Sequence, residues 1–556
     1  MNEAGPAAVT ASTAASGHEP LVKHFRQTLL WPVRLMPPDD GAPIQDYLMQ
    51  VAAAGSDNPW HELEDEFTGN PSDFGELHYN EFVAFLPPVQ RFLYGQGLGV
   101  SVRRGYGESP IRILRRRDIT QIRVILAAGG DPVTFEVAHI DLYFFFDVDV
   151  AMLAMEFHAD DLPLKVAQET MFQLGRAYPA YWEADGSAGH CPRKVEFLSA
   201  TGEVLAESDY ENRQKFLAFV GKHRAPRVAR HWEFLMRPLV LDHTDQAGQI
   251  RYRQLEYHRM PLMVYLALDR HDALTRADNV RLALASGSGD SNVLPLKESY
   301  YDEFKARHCY DIFRDSSEGR DRSNINFWSC GMAFVITGDS SNRYFRDAER
   351  GYLARFRHHH FILFMIAHFH RAALQMFSDR LAGAVNRLDV GDAEAVQAFR
   401  RDTRRALEAF LRFTHRYWFE EISDQAQTHD LFALCRGHLG VDRLYEAIRQ
   451  ETQDMSQYLE NEAMRRQNET VVRLTVVTIF GLIGTFVTGF LGMNLFNWAD
   501  QSGEAKFMLF AVVFVPTMVL TLYTVKKSRR LSDFLDAMAD ESLDLRGKWR
   551  AFRRIW

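Results

Sequence analysis

The groups in this chain best placed to do chemistry sit, unexpectedly, in an apolar run. GFLGMNLFNW (489–498) ends a segment fit for lipid on Gly492, Met493 and Asn494, with a carboxamide at its mouth. Upstream, Thr475, Thr478, Thr485 and Thr488 add hydroxyls, and positions 475, 478, 482, 485 and 489 step by threes and fours. Residues so spaced share one helix face. A hydroxyl stripe in an apolar helix suits the lining of a pore shared by several copies. The alternative is that each hydroxyl bonds back to its own helix.

Other candidates are weaker. His358, His359, His360, His368 and His370 fall in one helical stretch, and His360 and His368 could share a face. A metal site would need further ligands at matching spacing, so an exposed basic helix face is the simpler expectation. Asp141, Asp147 and Asp149 could ligate a metal in the cytoplasm. Cys191, Cys309, Cys330 and Cys435 lie far apart with no CxxC pair, which suits a reducing compartment and excludes a zinc knuckle. GQGLG (95–99) lacks the spacing of a dinucleotide loop. No Ser/His/Asp or Cys/His arrangement marks an enzyme.

The elements that position the hydroxyl stripe can be read from the same sequence. VVRLTVVTIFGLIGTFVTGFLGMNLF (471–496) holds one charge, Arg473, and FMLFAVVFVPTMVLTLYTV (507–525) holds none. About 20 apolar residues cross the hydrocarbon core, so both runs qualify as spans. Arg465 and Arg466 precede the first; Lys526, Lys527, Arg529 and Arg530 follow the second; the loop 497–506 has two acids against one Lys. The positive-inside rule then places both termini in the cytoplasm. Gly481, Thr485 and Gly489 form one small-residue ridge at intervals of four, and Gly484, Thr488 and Gly492 another. Such ridges let backbones approach closely in lipid.

Upstream of the spans, Val441, Leu444, Ile448, Met455, Leu459 and Ala463 form the seam of a packed helix, with no breaker before Val471. One rod therefore runs from the soluble part into the membrane. Of 20 prolines, 19 fall at or before Pro295, which leaves 296–515 free of helix breakers. The chain reads as a disordered tail (1–22), a cytoplasmic α/β domain (23–341), a helical region with a stalk (342–470), and a transmembrane hairpin (471–496, 507–525). A basic cytoplasmic tail (526–556) ends it. The α/β part has short apolar runs, among them 29–36, 81–88, 132–157, 233–241 and 260–269, with a helical stretch at 164–178. Helix formers run without interruption through 345–385. At 556 residues the chain exceeds one domain, and a net charge of −9 argues against nucleic acid as a general partner.

Two C-terminal spans, a short outer loop, GMN closing the first span and a basic run after the second together resemble the CorA-type magnesium transporter family. NETVVRLTVVTIF (468–480) is similar to the family's stalk-to-membrane segment, and Asn468 lies 26 residues before Asn494. Leu491 and Ile483 stand where the family often has Tyr and Pro. The resemblance implies a homopentameric funnel in the plasma (inner) membrane, whose central pore is lined by the first span. It implies a selectivity filter at Gly492, Met493 and Asn494, and a pore face of Asn468, Val471, Leu474, Thr478, Leu482, Thr485 and Gly489. A ring of neutral carboxamides can hydrogen-bond a hydrated Mg²⁺ without stripping it. Mg²⁺ is then both cargo and the implied cytoplasmic gating ion, with divalent cations, the bilayer and further copies of the chain as partners. Zn²⁺ or another divalent ion is the alternative cargo; a membrane-anchored enzyme or sensor is the alternative of another class.

Overall fold

A computed structural model describes residues 19–36, 58–63, 75–94, 111–145, 148–246, 248, 250–255, 258–311, 325–389, 392–492 and 502–526. Most of the tail 1–22 lies outside them, and the first strand already begins at Leu21. Backbone contacts divide the chain into two units, Met1–Arg449 and Gln450–Trp556.

Among the described residues, the first unit is built on one 14-stranded sheet. Its strands are β1 (Leu21–Met36), β2 (Trp60–Glu62), β3 (Ile111–Arg116), β4 (Gln121–Ile125), β5 (Val133–Phe145), β6 (Val150–Pro163) and β7 (Lys194–Leu198). They continue with β8 (Val204–Glu207), β9 (Val240–Leu241), β10 (Arg251–Gln254), β11 (Leu262–Leu268), β12 (Cys309–Tyr310), β13 (Asn326–Ser329) and β14 (Ala333–Asp339). The main path runs β12-β13-β14-β11-β1-β6-β5-β4-β7-β8. Pairing is antiparallel except for β11 with β14 and β9 with β10. The apolar run 132–157 is thus a hairpin, β5 and β6, joined in register from His139↔Glu156 to Phe145↔Val150, with a register shift between Val137 and His139.

Alternation along β1 sends Phe25, Leu29, Trp31, Val33 and Leu35 into the main core. That face is covered by α3 (Leu164–Gln173), α4 (Arg230–Met236) and α5 (Arg276–Leu284). Two further helices, α1 (Glu76–Val83) and α2 (Pro87–Tyr94), occupy the 81–88 run. Its prolines sit in the first turn of α2, where a missing N–H costs nothing.

The opposite face carries α6 (Phe361–Asn386), which packs on β1 and β6. Phe145 of β5 stacks on Phe369 of α6 with ring centroids 4.0 Å apart, and Phe92 of α2 joins them. Aromatic pairs of this kind add about 0.5–1.5 kcal/mol beyond burial. The helix expected across 345–385 is interrupted. Short helical pieces at Arg343–Arg346 and Tyr352–Arg355 precede a π-turn, Phe356–His360, before α6 begins. Gly351 marks the break: a Cβ there would lie 1.9 Å from the Tyr344 carbonyl oxygen, so the chain turns where only glycine fits.

Two more helices follow in the chain, α7 (Ala393–Arg416) and α8 (Ala426–Leu439). The Asp392 side chain caps α7 by accepting from the N–H groups of Glu394 and Ala395. Gly440, at φ 65°, ends α8 in the left-handed region and allows the next helix to start at Val441.

Candidate functional site: the long helix and its hairpin

From Val441 the chain is helical without interruption to Gly492, 52 residues named α9. At 1.5 Å per residue such a helix is about 78 Å long. The rod expected from the seam spacing is therefore present as one element. The closing helix, α10 (Gly503–Lys526), continues through Pro516, and the Thr517 hydroxyl donates to the Val513 carbonyl beside it.

Among the described residues, Tyr352–Asn386 and Gly503–Leu520 are long and apolar enough to cross a bilayer. The first is the sheet-covering helix α6 with its preceding turn and is mostly buried. The second has no buried side chain among those described, and the apolar half of α9 is likewise exposed at Val471, Leu474, Val477, Ile479 and Leu482. Water-facing rows of this size have no place on a soluble monomer.

Asn468, Val471, Leu474, Thr478, Leu482, Thr485, Gly489 and Gly492 all lie on α9 and are all exposed. Their spacing confines them to about a third of the helix circumference. Met493 and Asn494 lie outside the described residues. The other side of α9 is occupied. A Cβ on Gly484 would meet Thr517 of α10 at 3.7 Å, whereas Gly481, Gly489 and Gly492 face open space. Val476, on the flank towards Gly484, is buried. Within one chain, then, Gly484 packs against the closing helix, and Gly481, Gly489 and Gly492 are left uncovered.

The threonine hydroxyls do bond back to their own helix. Thr475, Thr478, Thr485 and Thr488 donate to the carbonyls of Val471, Leu474, Gly481 and Gly484 at 2.8–2.9 Å. Each hydroxyl proton is thereby committed, while the oxygen keeps lone pairs that can accept. The stripe is an acceptor surface, suited to cations and to the protons of their water.

The five histidines separate into individual structural roles. His358 faces Glu81 of α1 at 3.2 Å, and His359 stacks on Phe85. His360 is edge-on to Phe327, His368 bonds the Gly331 carbonyl at 3.1 Å, and His370 donates to the Tyr417 carbonyl at 2.6 Å. Burial pushes His360 and His370 down to about 3, so both are neutral. Contrary to the exposed basic face expected, His360, His368 and His370 are core residues.

The strand carboxylates are also taken. Asp141 accepts two bonds from Arg115 at 2.7 Å, and Asp149 pairs with Arg380 of α6. Asp147 lies outside the described residues. Glu156, buried on β6, is met by Arg26 of β1, with His139 and Arg357 at 3.6 Å. Burial alone would raise its carboxyl, but His139, Arg26 and Arg357 together hold it below the usual range. Among the described residues, no group of three or more His, Cys, Asp or Glu side chains is arranged to hold a metal ion.

Sequence reasoning missed the anchor at the foot of α9. Arg436 of α8 donates to the Phe419 and Glu420 carbonyls at 2.6 and 3.0 Å and pairs with Asp442 in the first turn of α9. Its guanidinium lies 4.7 Å from the Trp418 ring, and Trp418 stacks on Tyr445 of α9 at 4.1 Å. The long helix is thus clamped at its start by charge and aromatic contact, and only the aromatic content of 417–419 hinted at it.

The chain has no match among curated proteins. Residues 392–527, from the cap of α7 through α9 and α10, match the sequence model of the CorA-like Mg²⁺ transporter protein family.

Proposed function

We propose that this protein is a homopentameric, channel-like transporter of divalent cations, with Mg²⁺ as cargo, in a plasma (inner) membrane with both termini in the cytoplasm. The observation that carries the reading is the division of α9. One side packs α10 through Gly484, and the other presents the exposed stripe from Asn468 to Gly492. Five copies turning that stripe inward bury the open glycine ridge and line a pore with threonine oxygens. Val471, Leu474 and Leu482 supply an aliphatic constriction that can dewet, and Asn494 supplies the carboxamide ring at the outer mouth. The membrane potential drives entry, at about 2.3 kcal/mol per charge per 100 mV. Cytoplasmic Mg²⁺ gates the pore through the α9 rod, clamped at Arg436, by favouring one of two arrangements through differential affinity.

The test compares two thiol variants in liposomes. A water-soluble thiol reagent should slow Mg²⁺ flux through Thr485→Cys, on the stripe, and leave Val476→Cys, on the α10 side, unaffected. Equal sensitivity of the two, or none in either, contradicts the lining.

A further inference from the structure

The helix that opens the family-like region is charged on one side only. The inner side of α7 buries Phe399, Ala406, Phe410 and Phe413. Its outer side exposes Arg401, Arg404 and Arg405, with Leu411 half-exposed one turn and a half further on. Asp402 beside them is engaged by Arg387 at 2.9 Å. The three arginines form no ion pair among the described residues. Arg401 and Arg405 are like charges four residues apart, an arrangement that costs an isolated helix a few tenths of a kcal/mol. Glu408, exposed on the same face one turn beyond Arg404, is the one acid among them, forms no ion pair among the described residues and leaves the face net basic.

The complementary surface lies on the same unit. The segment joining α7 to α8 exposes Glu420, Glu421 and Asp424. Glu421 has His429 at 3.6 Å, and neither Glu420 nor Asp424 has an ion-pair partner among the described residues. This segment is held firmly. Ile422 is fully buried, its carbonyl accepts from the Leu86 N–H at 2.9 Å, and the Ser423 hydroxyl donates to the Ala84 carbonyl. Arg436 fixes the carbonyls of Phe419 and Glu420.

We propose that these two surfaces meet between copies: the arginine face of α7 on one copy docks on the 420–424 segment of the next. An anionic membrane would satisfy the arginines and leave the acids; a basic partner would do the reverse. A second copy satisfies both. The two patches are different, so the contact is heterologous, and a heterologous contact repeated by a closing rotation makes a ring. The inference rests on the ring assembly proposed above and adds which soluble surfaces set its register. Opposed charges at an exposed contact govern specificity and salt dependence more than raw affinity.

The experiment weighs the full chain in mild detergent by light scattering at low and high salt. The variants are Arg401→Glu/Arg404→Glu/Arg405→Glu, and that triple combined with Glu420→Arg/Glu421→Arg/Asp424→Arg. The triple reversal should lower the oligomer fraction several-fold at low salt, and the combined variant should restore it. A triple variant that assembles like the wild type overturns the docking and leaves the ring reading standing, as does a loss that the combined variant does not repair. If the triple variant keeps its mass but no longer binds anionic vesicles, the face serves lipid and the docking is overturned. A wild-type chain that is itself monomeric overturns both.

Discussion

At the residue scale the histidines and Arg436 show what spacing can and cannot reveal. Five histidines within thirteen residues invited a metal reading, but a π-turn at Phe356–His360 splits their faces, and that turn has no signature in the local sequence. His360 and His370, with His231, are fully buried and pushed down to about 3. Their folded pKa values lie below the unfolded value near 6.5. Their neutral forms therefore cost nothing above that pH, and stability falls as pH drops below it, because the unfolded chain binds protons that the folded chain does not. Each contributes about 2 kcal/mol of loss between pH 6.5 and 5. Thermal unfolding of the full chain should show a marked fall in Tm over that interval, and a flat profile would contradict the neutral assignment. Arg436→Met leaves two carbonyls and Asp442 without their donor. It should destabilise the first unit by about 3 kcal/mol and raise proteolysis near Gly440, which limited digestion would detect.

At the element scale α9 was the most legible feature. The three-four seam from Val441 and the absence of a breaker before Val471 fix a continuous helix, and it is continuous to Gly492. Less legible was which glycine meets α10, since both ridges have the same spacing and only the position of α10 singles out Gly484. Gly484 faces Thr517 at ordinary contact distance, so Gly484→Ala should fold and transport like the wild type while Gly484→Leu loosens the hairpin. Gly481 meets nothing within 4 Å in one chain. Gly481→Leu should therefore spare the hairpin but reduce the mass seen by light scattering from oligomer to monomer. Full assembly of Gly481→Leu would mean that the open ridge is not the contact between copies.

At the scale of the whole molecule, the proline distribution separated a sheet-bearing N-terminal part from a helical C-terminal part, and the hairpin β5–β6 follows from the aromatic run that encodes it. The sheet's order did not follow. β1 sits between β6, which ends at Pro163, and β11, which starts only at Leu262, and β14 joins β11 in parallel. Such long-range pairings are chosen by core packing, not by local pattern. The same packing draws α6, apolar enough to pass for a membrane span, onto the sheet instead. The candidate site was legible because lipid imposes strong composition rules on α9 and α10, whereas the clamp at Arg436 depends on tertiary contact. Under the proposed function a hydrated divalent ion passes along the α9 stripe and is selected at Asn494. Mg²⁺ entry into liposomes holding the purified protein, compared for the wild type and Asn494→Gly, tests it most directly. Flux well above empty liposomes is expected for the wild type and little or none for Asn494→Gly, with assembly unchanged. No divalent flux in the wild type, or equal flux in the two, would contradict it.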